Sequence, residues 1–323
     1  MAHKGIIKRL SVLVGLALCL LLAPSLPANA QSTERSDGLE ISPALVEVSA
    51  DRGKSYVITI TVRNVTNMPL TFDSSVDDFG AKDETGAPSI LLESDKDLPT
   101  SIKTWIKSIP SFRLEANEKT TLNVTIFVPN DAEPGGHYGV IRFAGRTPGT
   151  NDAVGQIASA GTLILIDVEG EASEKLELSS LQITKNNKAG SIFESGPLTF
   201  VSRFKNTGSV HLKPVGQIEI RDSFGNNVEV IKVNSDKGNV LPGSIRRFES
   251  PFNKSWMFGR YTADMTIAYG TTGQAVTNTI SFWVIPYKII AVALAVLLTL
   301  IYILINAVKR YNKHIITKSH KRK

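Results

Sequence analysis

The sequence predicts an all-β fold followed by one transmembrane helix, and three observations lead to this prediction. Apolar and polar residues alternate with a period of two in many short segments, as in YVITITVRN (residues 56–64) and TLNVTIFVP (residues 121–129). Clusters of Gly, Asn, Pro and Asp separate these segments. Alternation between such clusters is typical of half-buried strands in antiparallel sheets. Residues 289–308 form an uncharged apolar run near the end of the chain.

The first 30 residues are predicted to be a secretory signal peptide. Three cations precede an apolar run over residues 10–23, and the segment closes on the small residues Ala28 and Ala30. The only cysteine, Cys19, lies within this segment. We therefore expect a mature chain without disulfides or cysteine-based sites, beginning with a linker at residues 31–37.

The apolar run at residues 289–308 is predicted to be a transmembrane helix. At about 1.5 Å per residue it is long enough to cross a hydrocarbon core of about 30 Å. The tail that follows, residues 309–323, contains seven Lys and Arg and no acidic residue. Because cationic flanks stay in the cytoplasm, we expect a single-pass type I protein of the plasma membrane with its sandwich domains extracellular.

This topology changes the meaning of the positive net charge. Of 36 Lys and Arg residues, three lie in the predicted signal peptide and seven in the tail, which leaves 26 against 30 acidic residues outside the membrane. The extracellular part is therefore slightly acidic, and nucleic acid is not an expected partner.

The extracellular part is predicted to be two immunoglobulin-like β-sandwich domains in series, residues 38–168 and 176–285. The polar segment EGEASEK, residues 169–175, is the expected linker. Seven strands are expected in each domain. In the first domain they cover residues 39–50, 56–62, 70–76, 112–114, 122–128, 138–144 and 157–168. In the second they cover residues 176–184, 198–206, 215–222, 229–233, 245–250, 261–269 and 275–285, so the last strand ends beside the membrane.

One segment of the first domain, DLPTSIKTWIKS, departs from the strand pattern. Pro99 and Thr100 are typical of a helix start, and the turn that follows would carry Ile102, Trp105 and Ile106 into one open end of the sandwich.

The sequence contains none of the residue patterns expected of an enzyme or a metal site. The extracellular part has only two histidines, His137 and His211, one in each domain and without metal-ligand spacing. Neither a nucleophile elbow nor a glycine-rich phosphate loop occurs. We therefore expect no catalytic residue, no metal and no cofactor.

Two stretches allow both a structural and a binding role. The acidic stretch DDFGAKDETG, residues 77–86, is predicted to be a solvated loop, with weak calcium or polar-ligand binding as the alternative. In FKNTGSVHLKPVG, residues 204–216, His211 lies between the turn residues of Asn-Thr-Gly and Pro214. It is expected to hold this corner through a hydrogen bond to a backbone carbonyl, and the alternative is a ligand contact.

Residues 38–168 resemble the peptidoglycan-binding domain of the WxL-interacting protein family, surface proteins of Gram-positive bacteria. The matching stretches are ISPALVEVSADRGKSYVITITVRN, DDFGAKDETG and FRLEANEKTTLNVTIFVPNDAEPGGHYGVIRF. Members of that family are similarly built, with a signal peptide, two sandwich domains, one C-terminal span and a basic tail. The resemblance implies peptidoglycan binding by the first domain as a whole, without assigning the binding to particular residues.

The prediction for function is a non-enzymatic bacterial surface protein that tethers peptidoglycan or a secreted cell-wall protein to the membrane. The candidate contacts are Trp105, which could stack on a sugar or belong to the core, Asp77 and Asp78 as hydrogen-bond acceptors, and His211. One alternative is a chaperone-like assembly protein, resembling pilus chaperones in domain type, that pairs a strand with a secreted client. Another is a passive spacer.

Overall fold

The computed structural model describes residues 38–91, 98–147 and 156–320, without the side chains of residues 156, 157 and 310–320. The predicted signal peptide, the linker at residues 31–37 and the last three residues of the basic tail lie outside the described residues.

Nine strands from the first half of the chain form two facing sheets, which we call the N-terminal sandwich. A three-stranded sheet has the order β1-β3-β7, and a six-stranded sheet has the order β2-β9-β8-β4-β5, with β6 also paired to β4. The strands are β1 (Leu39–Ser42), β2 (Leu45–Ala50), β3 (Ser55–Asn64), β4 (Leu70–Ala81), β5 (Pro88–Leu91), β6 (Phe112–Leu114), β7 (Lys119–Phe127), β8 (Gly135–Arg146) and β9 (Gln156–Val168).

The period of two explains how these strands build a core. In β3, Ile58, Ile60 and Val62 are buried, while the residues between them face outward. Phe72 on β4 and Phe143 on β8 close the core from the opposite sheet, and both are fully buried. Burial of a side chain of this size contributes about 2 kcal/mol to the stability of the fold. Because the described residues contain no cysteine, this apolar burial replaces disulfides as the source of stability.

Nine further strands form a second pair of sheets, the C-terminal sandwich. One sheet has the order β11-β10-β13-β16 and the other β12-β18-β17-β14-β15. The strands are β10 (Leu176–Lys185), β11 (Lys188–Ala189), β12 (Ile192–Phe193), β13 (Leu198–Asn206), β14 (Val215–Arg221), β15 (Asn227–Val233), β16 (Ile245–Phe252), β17 (Gly259–Tyr269) and β18 (Gln274–Val284). Phe200, Phe204, Phe252 and Phe282 are the largest fully buried side chains in its core.

A single long helix, Tyr287–His320, follows β18. Its first part, Tyr287–Lys309, is long and apolar enough to cross a membrane, and no part of that segment is buried against the sandwiches. The predicted all-β fold, with two sandwiches in series and one C-terminal apolar helix, is thus confirmed. The predicted domain bounds stay predictions, although the two hydrophobic cores separate between Val168 and Leu176.

The structure differs from the predicted elements in three places. The predicted strand at residues 39–50 is two strands, β1 and β2, which belong to different sheets. Strand β4 does not end at Val76 but continues to Ala81 and turns back into β5, so the prediction of a solvated loop at residues 77–86 was wrong for Asp77 and Asp78. The short strands β11 and β12 carry no alternation long enough to be seen in the sequence.

Candidate functional site

The two sandwiches contact each other through backbone hydrogen bonds and charged side chains, and we call this contact region the junction. The Gly136 N–H donates to the Ser209 carbonyl at 2.9 Å, and the Arg247 N–H donates to the Glu84 carbonyl at 2.6 Å. Gly135 allows the first contact, because a Cβ there would lie 2.9 Å from the Ser209 oxygen. Backbone contacts of this kind fix the register of one sandwich against the other.

Ionic contacts surround the junction. Glu47 on β2 pairs with Lys213, and its carboxylate also accepts a hydrogen bond from Asn239 at 2.7 Å. Arg203 pairs with the Glu84 carboxylate at 2.7 Å. Burial alone would raise the pKa of Glu47, but the hydrogen bonds from Lys213 and Asn239 outweigh it and hold that pKa below its ordinary value.

His211 belongs to the junction. Its ring meets the Tyr138 ring edge to face with centroids 5.8 Å apart, and its Nδ1 lies 3.4 Å from the Tyr138 hydroxyl. Burial lowers the pKa of His211, and burial raises the pKa of the Tyr138 hydroxyl. A structural role at a corner is therefore the role that the geometry favours, although the recorded partner is a side chain of the other sandwich rather than a backbone carbonyl.

The corner beside His211 is held by Asn206. Its amide nitrogen donates to the carbonyls of Val210 and Val240, each at 2.8 Å, and its oxygen accepts the Gly208 N–H at 2.9 Å. Asn206 is fully buried, so these bonds have no competition from water.

Asp77 and Asp78 lie on opposite faces of β4, and both carry ion pairs. Asp77 accepts hydrogen bonds from Arg142 at 3.1 Å and from Ser75 at 2.8 Å. Asp78 is 1% exposed and pairs with Lys103 at 2.8 Å. Neither carboxylate lies at an open surface. Ligand binding by Asp77 and Asp78 stays a prediction.

The rest of the acidic stretch forms the tip of the β4–β5 hairpin, residues 82–87, which docks on the junction. Glu84 makes the contacts with Arg203 and Arg247, while the Asp83 carboxylate accepts the Thr85 N–H at 2.7 Å. Among the described residues, no group of three or more His, Cys, Asp or Glu side chains could hold a metal ion.

Trp105 lies in the core of the N-terminal sandwich, at the end of the 3-10 helical turn Lys103–Trp105, where the sequence predicts such a turn. Only 7% of the residue is exposed, and its indole packs on the His137 ring with centroids 4.5 Å apart. The His137 Nε2 lies 2.8 Å from the Glu133 carbonyl. This placement matches the alternative that Trp105 is a core residue. Nothing in its surroundings supports the stacking of a sugar on Trp105, and that role stays a prediction.

A cavity of about 250 Å³ lies between the two sandwiches at the β4–β5 hairpin. Phe79, Leu163 and Leu241 are among its apolar walls, and Lys237 and Arg246 are the cations that line it. The guanidinium donates to the Asn239 carbonyl at 2.7 Å and stacks over the Phe248 ring at 5.4 Å. Burial lowers the pKa of Arg246. Arg246 forms no ion pair within the described part of the chain, and Asp83 and Asp236 also line the cavity.

His211, Asp167 and Glu174 are among the residues that line a second cleft of about 300 Å³. Burial, and then the neighbouring charge of Glu174, raises the pKa of Asp167.

Among the described residues, β7 has a largely unpaired edge in the N-terminal sandwich. Strand β7 pairs along its length with β3, and on its other side a single bridge, Ile106 to Ile126, is its only pairing within the described residues. The Val128 N–H donates to the Lys54 carbonyl and the Asn64 N–H donates to the Glu118 carbonyl. In this antiparallel ladder the even-numbered residues therefore bond to β3, and the N–H and C=O groups of Thr121 and Asn123 face the open edge.

Sequence analysis missed the edge of β7 and the cation of Arg246. The alternation in TLNVTIFVP predicts a strand, but the neighbours of a strand depend on contacts distant in sequence. The Asn-Thr-Gly turn in the sequence indicates a structural role for Asn206 more directly than for His211.

No family model matches the chain, and no curated protein matches it. Solved structures that align with it include the YadV chaperone, at 12% identity over 76% of this chain and 100% of that one, with a TM-score of 0.35. The class 5 fimbriae chaperone CfaA aligns at 15% identity over 75% and 98%, with a TM-score of 0.36. The Pseudomonas aeruginosa CupB2 chaperone aligns at 13% identity over 74% and 98%, with a TM-score of 0.31. At these identities and TM-scores the similarity carries no inference about function.

Proposed function

We propose that the chain is a non-enzymatic, membrane-anchored protein that captures an extended segment of a secreted protein along the open edge of β7. The observation that carries this proposal is the row of backbone groups at Thr121 and Asn123, which pair with no strand among the described residues. An uncovered edge is a template for a further strand, and an added strand gains main-chain hydrogen bonds.

The side chains near this edge suit an incoming strand with alternating apolar residues. Leu122 on β7 and Phe112 on β6 belong to opposite sheets, and both pack on the N-terminal core while remaining half-buried. Phe112 stacks on Phe72 with centroids 5.6 Å apart. Every second side chain of a client strand would cover these half-buried groups, which supports a preference for apolar residues at alternate positions.

The C-terminal helix supports the anchoring part of the proposal. A span at Tyr287–Lys309, with the cationic residues of the tail on its far side, would keep β7 outside the cytoplasm. A client would then be a protein exported by the same cell, captured near the membrane.

The test begins with photo-crosslinking in the native cells, with a photoreactive residue at position 121 and, as a control, at position 63 on β3, which is paired there with both β1 and β7. Position 121 should capture one exported protein through an apolar-alternating segment, and position 63 should not. A synthetic peptide of that segment then serves as the probe for binding to the purified full chain in nanodiscs.

The deciding variant is Asn123→Pro, because proline removes the N–H that faces the open edge while the bonds to β3 remain. We expect a loss of affinity of about tenfold, the effect of one or two main-chain hydrogen bonds. Asn123→Ala keeps the N–H and should bind like the wild type. Unchanged affinity of a folded Asn123→Pro variant would refute strand capture.

The same preparation tests the peptidoglycan tether that the sequence predicts. Purified full chain in nanodiscs is sedimented with protein-free peptidoglycan, with empty nanodiscs as the control. Sedimentation that is equal for the wild type and Asn123→Pro, without any crosslinked protein in cells, would replace strand capture by glycan binding.

A further inference from the structure

Large apolar side chains are exposed together at the end of the C-terminal sandwich from which the helix leaves. Phe224 is 90% exposed, Trp256 77% and Phe258 71%. Ile192 and Trp283 are also exposed, and Tyr287 begins the helix. We call these six residues the aromatic end. Exposed aromatic side chains in such number mark an interaction surface rather than a folding requirement.

The strand registers bring these residues to one end. Trp283 on β18 is paired with Ile192 on β12 and with Arg260 on β17. Phe258 directly precedes β17. Phe224 lies in the turn between β14 and β15, where the Ser223 hydroxyl donates to the Arg260 carbonyl at 2.8 Å.

The start of the helix is fastened to the same end. The Trp283 N–H donates to the Ser191 carbonyl and the Ile285 N–H donates to the Phe193 carbonyl, both at 2.8 Å. Lys288 in the first helical turn pairs with Glu194 at 2.8 Å. The Gly196 N–H donates to the Ser255 carbonyl at 3.3 Å, which joins the loop of Trp256 to the same base.

These contacts indicate what covers the aromatic end. A bilayer crossed by the helix begins within a few residues of Tyr287, and each extended residue spans only about 3.3 Å. Trp and Tyr prefer this zone because their rings are apolar while their N–H and O–H groups remain hydrated. The exposed cations Lys254 and Arg260 lie beside the aromatic residues, where they can meet lipid phosphate.

We propose that the aromatic end docks in the interfacial region of the bilayer that the C-terminal helix crosses, with Phe224, Trp256 and Phe258 among the lipid headgroups. This inference rests on the membrane anchoring in the proposed function. Docking fixes the C-terminal sandwich against the membrane instead of leaving it to swing on Ile285 and Pro286.

The test is quenching of tryptophan fluorescence in the full chain, reconstituted in phosphatidylcholine nanodiscs whose lipids carry bromine either near the headgroup or near the chain end. Bromine near the headgroup should quench strongly and bromine near the chain end weakly. Most of this quenching should disappear in the Trp256→Phe, Trp283→Phe double variant, which retains the buried Trp105. As a matched control, Phe127→Trp in that double variant adds an exposed indole to the N-terminal sandwich, and it should not be quenched.

Each other outcome has a distinct meaning. A chain that does not co-purify with nanodiscs refutes the anchoring itself. If the chain is incorporated but Trp256 and Trp283 escape bromine and are quenched by iodide in water, the anchoring stands and the docking is wrong. Protection from both quenchers, with two chains in each disc, would assign the aromatic end to a second copy and also overturn the docking.

Discussion

In both sandwiches one strand of the smaller sheet ends on a fully buried asparagine, Asn64 on β3 and Asn206 on β13. The Asn64 amide donates to the Met68 and Glu115 carbonyls, at 2.8 and 2.9 Å, and its oxygen accepts the Thr66 N–H. Asn206 makes the same pattern, with one bond to the carbonyl four residues later and one to a distant segment. A buried corner leaves carbonyls without partners, and one amide side chain can satisfy two of them.

The same two sandwiches differ at the next strand. Apart from the two-residue strand β11 beside β10, the smaller sheets have matching orders, β1-β3-β7 and β10-β13-β16, so β7 and β16 occupy equivalent edges. The edge of β16 receives the β4–β5 hairpin through the bond from Arg247 to Glu84, whereas the edge of β7 has only the bridge to Ile106 among the described residues. The fold can therefore cover the outer edge of this strand, as it does on β16. That the edge of β7 stays open supports a binding role for β7.

The largest effect is expected from removing the asparagine that the two sandwiches share. Asn64→Ala and Asn206→Ala each remove a buried side chain that donates to two carbonyls and accepts one N–H, and at about 1 kcal/mol for each bond each should lower the free energy of unfolding of its own sandwich by about 3 kcal/mol. Hydrogen exchange of the full chain in detergent, followed peptide by peptide, measures the two sandwiches separately.

Asn123→Ala on the exposed face of β7 is the control, with an expected effect below about 0.5 kcal/mol. A variant of Asn64 or Asn206 as stable as this control would mean that the corners are held by packing alone, and the parallel between the sandwiches would lose its physical basis.

Some of these strands could be predicted from the sequence, and others could not. Period-two alternation predicts β3, β7 and β17 because each strand is buried on one face only. In the sequence, VRNVTNMPLTF (residues 62–72) and FKNTGSVHLKP (residues 204–214) each place an asparagine and a proline after a strand, and the structure gives Asn64 and Asn206 a common hydrogen-bonding role. Strand β5 and the long β4 were missed because the polar residues of the acidic stretch are satisfied by distant partners, such as Arg142 for Asp77.

The candidate site was less predictable. The sequence predicts that His211 bonds a backbone carbonyl at a corner, whereas its ring lies beside the hydroxyl of Tyr138, 73 residues away. The open edge of β7 and the position of Arg246 follow from how strands and sandwiches assemble, which one strand's pattern does not encode. The resemblance to WxL-interacting proteins and the ligand roles of Trp105, Asp77, Asp78 and His211 stay predictions.

An intermediate effect is expected from Gly86→Ala, which disturbs the β4–β5 hairpin where it covers the edge of β16. Gly86 has a φ of +81°, and a Cβ there would lie 2.3 Å from the Arg246 guanidinium. The substitution should loosen the bond from Arg247 to Glu84 and destabilise the junction by about 2 kcal/mol.

Gly225→Ala is the matched control, because Gly225 has a φ of +83° and no atom within 4 Å of the added Cβ. It carries the backbone strain alone, about 1 kcal/mol. Faster exchange of the β16 amides in Gly86→Ala, and not in Gly225→Ala, would show that the hairpin protects this edge. Equal exchange in both variants would contradict the contrast between β7 and β16.

The smallest effect is a pH dependence of the junction. Because burial lowers the pKa of His211 below its ordinary value of 6.5, the folded chain binds fewer protons than the unfolded chain in the window below that value. Stability contributed by His211 is thus complete above pH 6.5 and is lost as the pH falls, with a slope of at most about 1.4 kcal/mol per pH unit.

Three charged neighbours shape this dependence. Glu47 favours the protonated ring and Lys213 opposes it, while the raised pKa of Asp167 acts on stability in the opposite direction to His211. Urea unfolding of the wild type and His211→Gln, above and below pH 6.5 but always above the ordinary glutamate value of 4.5, isolates the histidine. The variant should keep the dependence due to His137, whose pKa burial also lowers, and that due to Asp167, and should lose only the part due to His211. Identical slopes in the two proteins would mean that burial at the junction does not shift the pKa of His211 on folding, and the expected pH dependence would be wrong.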